Sequence, residues 1–166
     1  MKMCEAYFAG GCVWCITPVF AELQGVKSVR SGYSGGDEAD PAYEDVKNQR
    51  TGHRETIKIT YDADSVDFAR LLDVFLSNVD PFDGEGQFID RGRSYTLAVY
   101  FNGCEEERIT LEKLAVLEEE SGRKVFVSVE PFRAFYDAEE YHQDYYLKNP
   151  EAFEKELIES GRKSEF

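Results

Sequence analysis

The chain has 166 residues, of which 42% are hydrophobic and 14% aromatic, a composition typical of one globular domain with a sizeable core. Its 33 acidic residues outnumber its 19 basic residues, and the formal net charge of -14 argues against nucleic acid and anionic membranes as partners. The first residues, MKMCEAYFAGG, lack the apolar run of a signal peptide, and no apolar stretch is long enough to span a membrane. We therefore expect a cytoplasmic protein whose four cysteines are kept reduced.

The first predicted elements are a strand, a helix and a second strand. The segment CEAYFA alternates as a strand, a Gly-Gly turn follows, and a helix comes next. Pro18 leaves two possibilities: a helix from Cys12 that lacks one hydrogen bond, which we favour, or a helix that begins at Pro18 with Thr17 as its cap. The segment VKSVRSGYSGG predicts a strand that runs into a glycine-rich loop.

The segment ETIKITYD is the clearest strand of the sequence. Ile57, Ile59 and Tyr61 alternate with polar residues and define its apolar face. Glu55 has the same parity, so its carboxyl group is predicted to lie on the core side. A buried carboxylate is costly, and burial favours the protonated form, which keeps a proton available near neutral pH. The alternative is a solvent-exposed glutamate at a frayed strand end.

The second half of the chain continues to alternate between helices and strands. Asp64 or Ser65 is predicted to cap a helix with one apolar stripe, made of Phe68, Leu71, Leu72, Phe75 and Val79. The loop DPFDGEGQ, the strand SYTLAVYF, a solvated helix EEERITLEKLAVLEEES closed by Gly122, and the strand KVFVSVE follow. DAEEYHQDYYL and PEAFEKELIE predict terminal helices. The pattern indicates a sheet covered by helices, α/β or α+β, and leaves the strand order open.

Two of the four cysteines, Cys12 and Cys15, stand three residues apart behind the Gly-Gly turn, with the single tryptophan between them. Residues at this spacing share a helix face, and a helix N-terminus favours a thiolate. The terminus is worth only ~0.3–1 kcal/mol, which leaves a thiol mostly protonated at neutral pH, so further groups must assist. Two inert buried cysteines and a thioredoxin-like dithiol are alternatives, although the tryptophan of the dithiol motif normally precedes its first cysteine. A zinc site is another, with further ligands from Cys4, Cys104, His53 and His142.

The segment GGCVWC resembles the GCFWG or GCFWC signature of the A-type peptide methionine sulfoxide reductases. The segments SGYSGG with PAYEDV, TGHRE, DRGRSY and FYDAEEYHQDYYLKNP resemble other blocks of that family in the same order, over about residues 8–150. The resemblance implies an α+β fold, a two-layer sandwich around a mixed β-sheet with a ferredoxin-like core. It also implies a single catalytic domain over residues 1–166, in which residues 151–166 form a C-terminal helix and tail.

The resemblance assigns roles to individual residues of this chain. It implies Cys12 as the nucleophile and Glu55 as the proton donor. Three further catalytic residues are implied: Tyr43 and Tyr95, whose hydroxyls hold the sulfoxide oxygen, and Asp90, whose carboxylate organises nearby water. The implied substrate-binding residues are Trp14 and Val13, which cup the methyl group. The chain departs from the family where Val13 replaces Phe, Arg54 replaces Ala and Val79 replaces His.

The implied reaction reduces methionine S-sulfoxide, free or in proteins, to methionine, and repairs oxidative damage. Cys12 would become a sulfenic acid, and a second thiol would close a disulfide with it. We favour Cys15 as this resolving thiol over Cys104 or Cys4, because it lies one helical turn away and residues 147–166 contain no cysteine. Thioredoxin, or dithiothreitol, would supply the electrons, with no other cofactor. The alternatives are a dithiol electron carrier or disulfide isomerase, and a zinc-stabilised binding module.

Overall fold

The computed structural model describes residues 2–10, 13–36, 41, 46, 51–87 and 90–138. Its strands are β1 (Met3–Ala9), β2 (Val26–Ser34), β3 (Arg54–Asp62), β4 (Gly86–Gln87), β5 (Asp90–Arg91), β6 (Leu97–Phe101), β7 (Val127–Pro131) and β8 (Phe135–Asp137). Its α-helices are α1 (Val13–Ala21), α2 (Phe68–Ser77) and α3 (Cys104–Ser121), and a 3-10 helix covers Arg93–Tyr95. Over these ranges, strands and helices alternate as the sequence predicts.

Six of the strands form one sheet in the order β7-β6-β1-β3-β2-β8. The pair β6 and β7 is parallel and the other neighbours are antiparallel, so the sheet is mixed, as predicted. Strands β4 and β5 form a separate two-stranded ribbon within the predicted loop. The long strands β1 and β3 lie in the middle of the sheet, where both of their edges are paired.

The main core lies between the sheet and the three helices. Ile57 and Ile59 of β3 are fully buried on this face, which confirms the alternation predicted for ETIKITYD. Phe8 of β1 stacks on Phe75 of α2, with ring centroids 4.9 Å apart, and contacts Phe20 of α1 at 6.0 Å. The helices therefore form one layer over one face of the sheet.

The opposite face of the sheet carries a smaller cluster. Tyr7, Ala9 and Tyr100 are buried there, and Phe132 stacks on Tyr7 with ring centroids 3.9 Å apart. Phe135, at the start of β8, packs beside them. The chain after β7 thus folds back over this face, and β8 adds an edge strand that the sequence analysis did not predict.

The cap predicted for α2 is wrong by two to three residues. Asp67 caps this helix, its carboxylate accepting from the Arg70 N–H at 2.8 Å. Asp64 and Ser65 belong to the preceding turn, where both donate to the Asp62 carboxylate. The turn that Asp62 closes places the start of the helix later in the chain, where Asp67, in an extended conformation, becomes the cap. The predicted apolar stripe is buried as expected, from Phe68, Leu71, Leu72 and Phe75 in the helix to Val79 just beyond it.

The other predicted helices have mixed outcomes. Helix α1 contains Pro18 in its interior, which agrees with the favoured of the two possibilities for this segment. Helix α3 ends at Gly122, whose φ of 68° lies in the left-handed region, as predicted for a glycine cap. The predicted terminal helices lie outside the described residues. Among the helices that are described, none is both long and apolar enough to cross a membrane.

Candidate active site

Glu55 lies at one end of the six-stranded sheet, the end at which β1 stops. Ala9, the last residue of β1, pairs with Thr56 of β3 on one side and with Ala98 of β6 on the other. We call this the site end, and it comprises Ala9–Gly10, Ser34–Gly36, His53–Thr56 and Tyr95–Ala98. We call the opposite end the far end, and it comprises Met3–Cys4, Tyr61–Asp62 and Phe101–Cys104.

The turn that leaves β1 at the site end passes very close to the helix layer. A Cβ atom on Gly10 would lie 2.6 Å from a ring carbon of Phe75 and 3.2 Å from Ile16. Only glycine fits such an approach. The first glycine of the Gly-Gly pair therefore lets the chain turn over Phe75 from β1 towards the start of α1.

Glu55 is the second residue of β3 and is buried, with 8% of its surface exposed. It pairs with Tyr33 of β2 and has the parity of Ile57, on the helix-covered face of the sheet. This confirms the predicted burial, and the exposed-glutamate alternative is wrong.

Arg54 points to the opposite face of the same strand, where it is 5% exposed. Its Nη1 donates to Glu130 Oε2 at 2.6 Å and to the Tyr100 hydroxyl at 3.1 Å, and its Nε donates to Thr96 Oγ1 at 2.8 Å. Burial acts to lower the pKa of Arg54, but Tyr100 and then Glu130 raise it, and the net direction is upward. The charge is therefore paired on the face away from Glu55.

His53 joins the turn after β2 to the start of β3. Its ring is 1% exposed, its Nδ1 accepts from the Gly36 N–H at 3.2 Å, and it meets Tyr136 edge-on at 5.7 Å. A Cβ atom on Gly36 would lie 2.6 Å from the backbone nitrogen of His53. The close approach of the two backbones therefore also requires glycine at position 36. From the sequence alone, His53 is assigned only to the zinc alternative. It stands two positions before Glu55, however, and this alternation indicates the same buried face of the sheet.

The structure describes the backbone of some predicted site residues and does not describe others. Val13, Trp14 and Cys15 form the first turn of α1, which begins at the site end. Tyr95 ends the 3-10 helix, is half-buried, and donates its N–H to the Gly92 carbonyl at 3.0 Å. Asp90 is the first residue of β5 and pairs with Gln87. Cys12 and Tyr43 lie outside the described residues.

The other two cysteines lie at the far end. Cys4 is half-buried and pairs with Tyr61, and exposed Cys104 begins α3 after β6. Cys4 and Ala9 are five positions apart, which is about 17 Å along a strand. His53 is at the opposite end, so the alternative of a zinc site cannot use it together with these cysteines. Among the described residues, no three or more His, Cys, Asp or Glu side chains group as metal ligands.

Comparison with known families and relatives points to one class of protein. The family model described as peptide methionine sulfoxide reductase matches residues 4–165. Peptide methionine sulfoxide reductase MsrA of Ligilactobacillus salivarius is 41% identical over 168 residues, covering 100% of this chain and 96% of the relative. MsrA 2 of Staphylococcus aureus is 40% identical over 161 residues, covering 96% of this chain and 91% of the relative.

Solved structures give the same result. Methionine sulfoxide reductase A of Corynebacterium diphtheriae superimposes with a TM-score of 0.81 at 28% identity. The match covers 89% of this chain and 76% of the Corynebacterium chain. Mxr1 from Saccharomyces cerevisiae in reduced form gives a TM-score of 0.85 at 25% identity, covering 90% and 87% of the two chains. Mxr1 in complex with Trx2 shares the fold, with a TM-score of 0.59 at 18% identity and coverage of 87% and 85%.

Proposed function

Because the chain belongs to the peptide methionine sulfoxide reductase family, whose members are oxidoreductases, we propose that its site end reduces the S epimer of methionine sulfoxide through a sulfenic acid on Cys12. The observation that carries this proposal is the buried carboxyl group of Glu55 at the sheet end where β1 leads into α1. A sulfoxide oxygen is a poor leaving group unless it is protonated, and a buried carboxyl can supply that proton.

The proposed first step moves an oxygen atom from one sulfur to another. The Cys12 thiolate attacks the sulfoxide sulfur while Glu55 passes its proton to the oxygen, so a sulfur–sulfur bond forms and the oxygen becomes a hydroxyl group. The hydroxyl group then moves to the Cys12 sulfur, and the bonds from the methionine sulfur to Cys12 and to oxygen break. Cys12 is left as a sulfenic acid, oxidised by two electrons, and methionine leaves with its sulfur reduced by the same two electrons. The paired charge of Arg54 supports this role for Glu55, because an unpaired guanidinium beside it would favour the ionised carboxylate.

The proposed binding site has three subsites around the substrate sulfur. Trp14 and Val13 hold the methyl group, Tyr43 and Tyr95 hold the oxygen with Glu55, and the rest of the substrate leaves towards solvent. Asp90 organises the polar groups nearby. Three distinct subsites around a chiral sulfur accept one epimer and misplace a group of the other, which supports selectivity for the S form.

Cys15 is proposed as the resolving thiol. It attacks the Cys12 sulfenic acid, water leaves, and a Cys12–Cys15 disulfide forms. The position of Cys15 in the first turn of α1 supports this choice, since Cys4 and Cys104 lie at the far end. Thioredoxin, the class of partner present in the Mxr1 complex with Trx2, then reduces the disulfide by thiol exchange, and dithiothreitol can replace it.

The finer description of the fold belongs to the same proposal. The strand order β6-β1-β3-β2, all antiparallel, with α1 between β1 and β2 and α2 between β3 and β6, supports a ferredoxin-like core. We propose one catalytic domain over residues 1–166, in which residues 151–166 are a C-terminal helix and tail. The cytoplasmic location stays a prediction from the sequence.

A single-turnover assay with the two epimers of a methionine sulfoxide peptide tests the proposal. Reduced wild-type protein, with no external reductant, is expected to release about one equivalent of methionine from the S epimer and almost none from the R epimer. Equal release from both epimers would contradict the three-subsite arrangement. Reduction of insulin disulfides without release of methionine would instead favour the dithiol-carrier alternative.

A further inference from the structure

Arg54 and Thr96 lie on either side of the point where β1 stops pairing. Ala9 pairs with both Thr56 and Ala98, and Arg54 and Thr96 each stand two residues before those partners. Beyond Ala9, strands β3 and β6 are two strand spacings apart, about 10 Å, and no β1 ladder joins them. At this level the β1 ladder no longer sets the spacing between the two strands, and a side-chain link can do so.

The Arg54 side chain supplies such a link. Its Nε donates to Thr96 Oγ1 at 2.8 Å, while Nη1 is held by Tyr100 at 3.1 Å and Glu130 at 2.6 Å. A guanidinium is a rigid planar fork, so three contacts in different directions fix its position. The fork is therefore attached at one end to β3 and at the other to β6 and β7.

The two residues that this link joins are chain neighbours of two proposed site residues. Glu55 follows Arg54, and Tyr95 precedes Thr96. We infer that Arg54 is a positioning residue, which fixes the separation of Glu55 and Tyr95 through its hydrogen bond to Thr96 on the opposite face of the sheet. This inference rests on the proposed function, in which Glu55 gives a proton to the oxygen that Tyr95 holds.

Arg54 acts in this account through geometry and not through its charge. Its charge is compensated by Glu130, and its side chain lies on the face away from Glu55. A displacement of about 1 Å between reacting groups can cost ~10²-fold in rate, and productive geometry requires tolerances of about 0.5 Å. Loss of the link is therefore expected to lower the rate of the chemical step more than the affinity for substrate.

Thr96→Val is the sharpest variant because it removes the acceptor of the Arg54 Nε hydrogen bond and leaves the Arg54–Glu130 ion pair in place. Thr96 is half-buried and, like Arg54, lines an open cavity of about 520 Å³, so water can solvate the freed Nε and the variant is expected to fold. Thr110→Val is the matched control. Thr110 is fully buried in α3, and its hydroxyl donates to the Glu106 carbonyl at 2.8 Å.

Single-turnover release of methionine from the S-sulfoxide peptide measures the effect. Thr96→Val is expected to lower the single-turnover rate about 10-fold, with little change in the substrate concentration that gives the half-maximal rate. Thr110→Val is expected to change the single-turnover rate less than 2-fold. The change in Tm should be similar for the two variants. Arg54→Lys should lose a similar factor in rate, because an ammonium group cannot reproduce the fork.

A double-mutant cycle with Glu55→Gln separates positioning from general loss of structure. If Thr96 acts through Glu55, then Thr96→Val is expected to cost much less in the Glu55→Gln background than in wild type. An equal cost in both backgrounds, or a cost of less than 2-fold in wild type, would overturn the inference. Wild-type protein that releases no methionine would overturn the proposed function, and the inference with it.

Discussion

The two ends of the six-stranded sheet bury polar side chains for different purposes. At the far end, the Asp62 carboxylate accepts from the backbone N–H groups of Lys2 and Asp64, and its role is to close a turn. At the site end, Arg54 and Glu55 are both buried at the start of β3, on opposite faces of the strand. The paired groups at the far end serve a local turn, whereas Arg54 at the site end joins β3 to residues of distant segments, Thr96, Tyr100 and Glu130.

This difference separates the cysteines by their position along the sheet. Cys104 is exposed and begins an 18-residue helix, and it lies at the far end, where the buried carboxylate of Asp62 accepts from backbone N–H groups of a turn. The start of α1 lies at the end where Glu55 is buried. A thiol needs both access and a partner group to become reactive, and in the proposed mechanism Glu55 at the site end is that partner.

Cys12→Ser is expected to have the largest effect. A serine hydroxyl is a far weaker nucleophile than a thiol, and the sulfenic acid cannot form without the sulfur. We expect the variant to release no methionine even in a single turnover, measured by chromatography of the peptide. Stoichiometric release by this variant would assign the attack to another residue.

Glu55→Gln should have the next largest effect, because glutamine keeps the shape of the side chain but has no acidic proton. General acid catalysis is worth ~10²–10⁴ in rate, and the single-turnover rate at neutral pH should fall by a factor in that range. Glu85→Gln, at a position outside the sheet, is the control and is expected to be within 2-fold of wild type. A loss of less than 10-fold for Glu55→Gln would mean that the proton comes from elsewhere.

Glu130→Ala is expected to lower the free energy of unfolding without removing a residue of the proposed site. It leaves the guanidinium of Arg54, whose side chain is 6% exposed, without its carboxylate, at a cost of about 2–4 kcal/mol. Lys113→Ala breaks the more exposed Lys113–Asp73 pair, 2.8 Å long, and should cost less than about 1 kcal/mol. Urea unfolding of both variants measures the difference, and equal costs would contradict the structural role of the Arg54 pair.

Cys4→Ser and Cys104→Ser should have the smallest effect on turnover. Both residues lie at the far end, about 17 Å or more from the end of β1 that leads to α1. We expect each variant to keep steady-state turnover with thioredoxin within about 2-fold of wild type. A loss of turnover with single-turnover release intact would make that cysteine part of the recycling step.

The sequence predicts what depends on local periodicity. The burial of Glu55 follows from its parity in ETIKITYD, and the buried stripe of α2 follows from the spacing of its apolar residues. The cap of the same helix was assigned to Asp64 or Ser65 instead of Asp67, because several nearby residues can cap and the turn decides among them.

The remaining features depend on contacts between distant segments. The link from Arg54 to Glu130 joins residues 76 positions apart, and it forms only because β7 runs parallel to β6 at that level. The hydrogen bond from the Gly36 N–H to His53 Nδ1 likewise forms only where the turn at Gly36 meets the start of β3. Strand order, which creates both contacts, is not encoded in the period of any one segment.

The pairing of Cys12 after oxidation tests most directly whether the chemistry is confined to the site end. Reduced wild-type protein would be mixed with stoichiometric S-sulfoxide peptide in the absence of reductant, alkylated, digested and mapped by mass spectrometry. We predict a Cys12–Cys15 disulfide, and a Cys15→Ser variant that releases one equivalent of methionine and then accumulates a sulfenic acid trapped by dimedone. A disulfide from Cys12 to Cys4 or to Cys104 would contradict this account, because it would require the two ends of the sheet to meet.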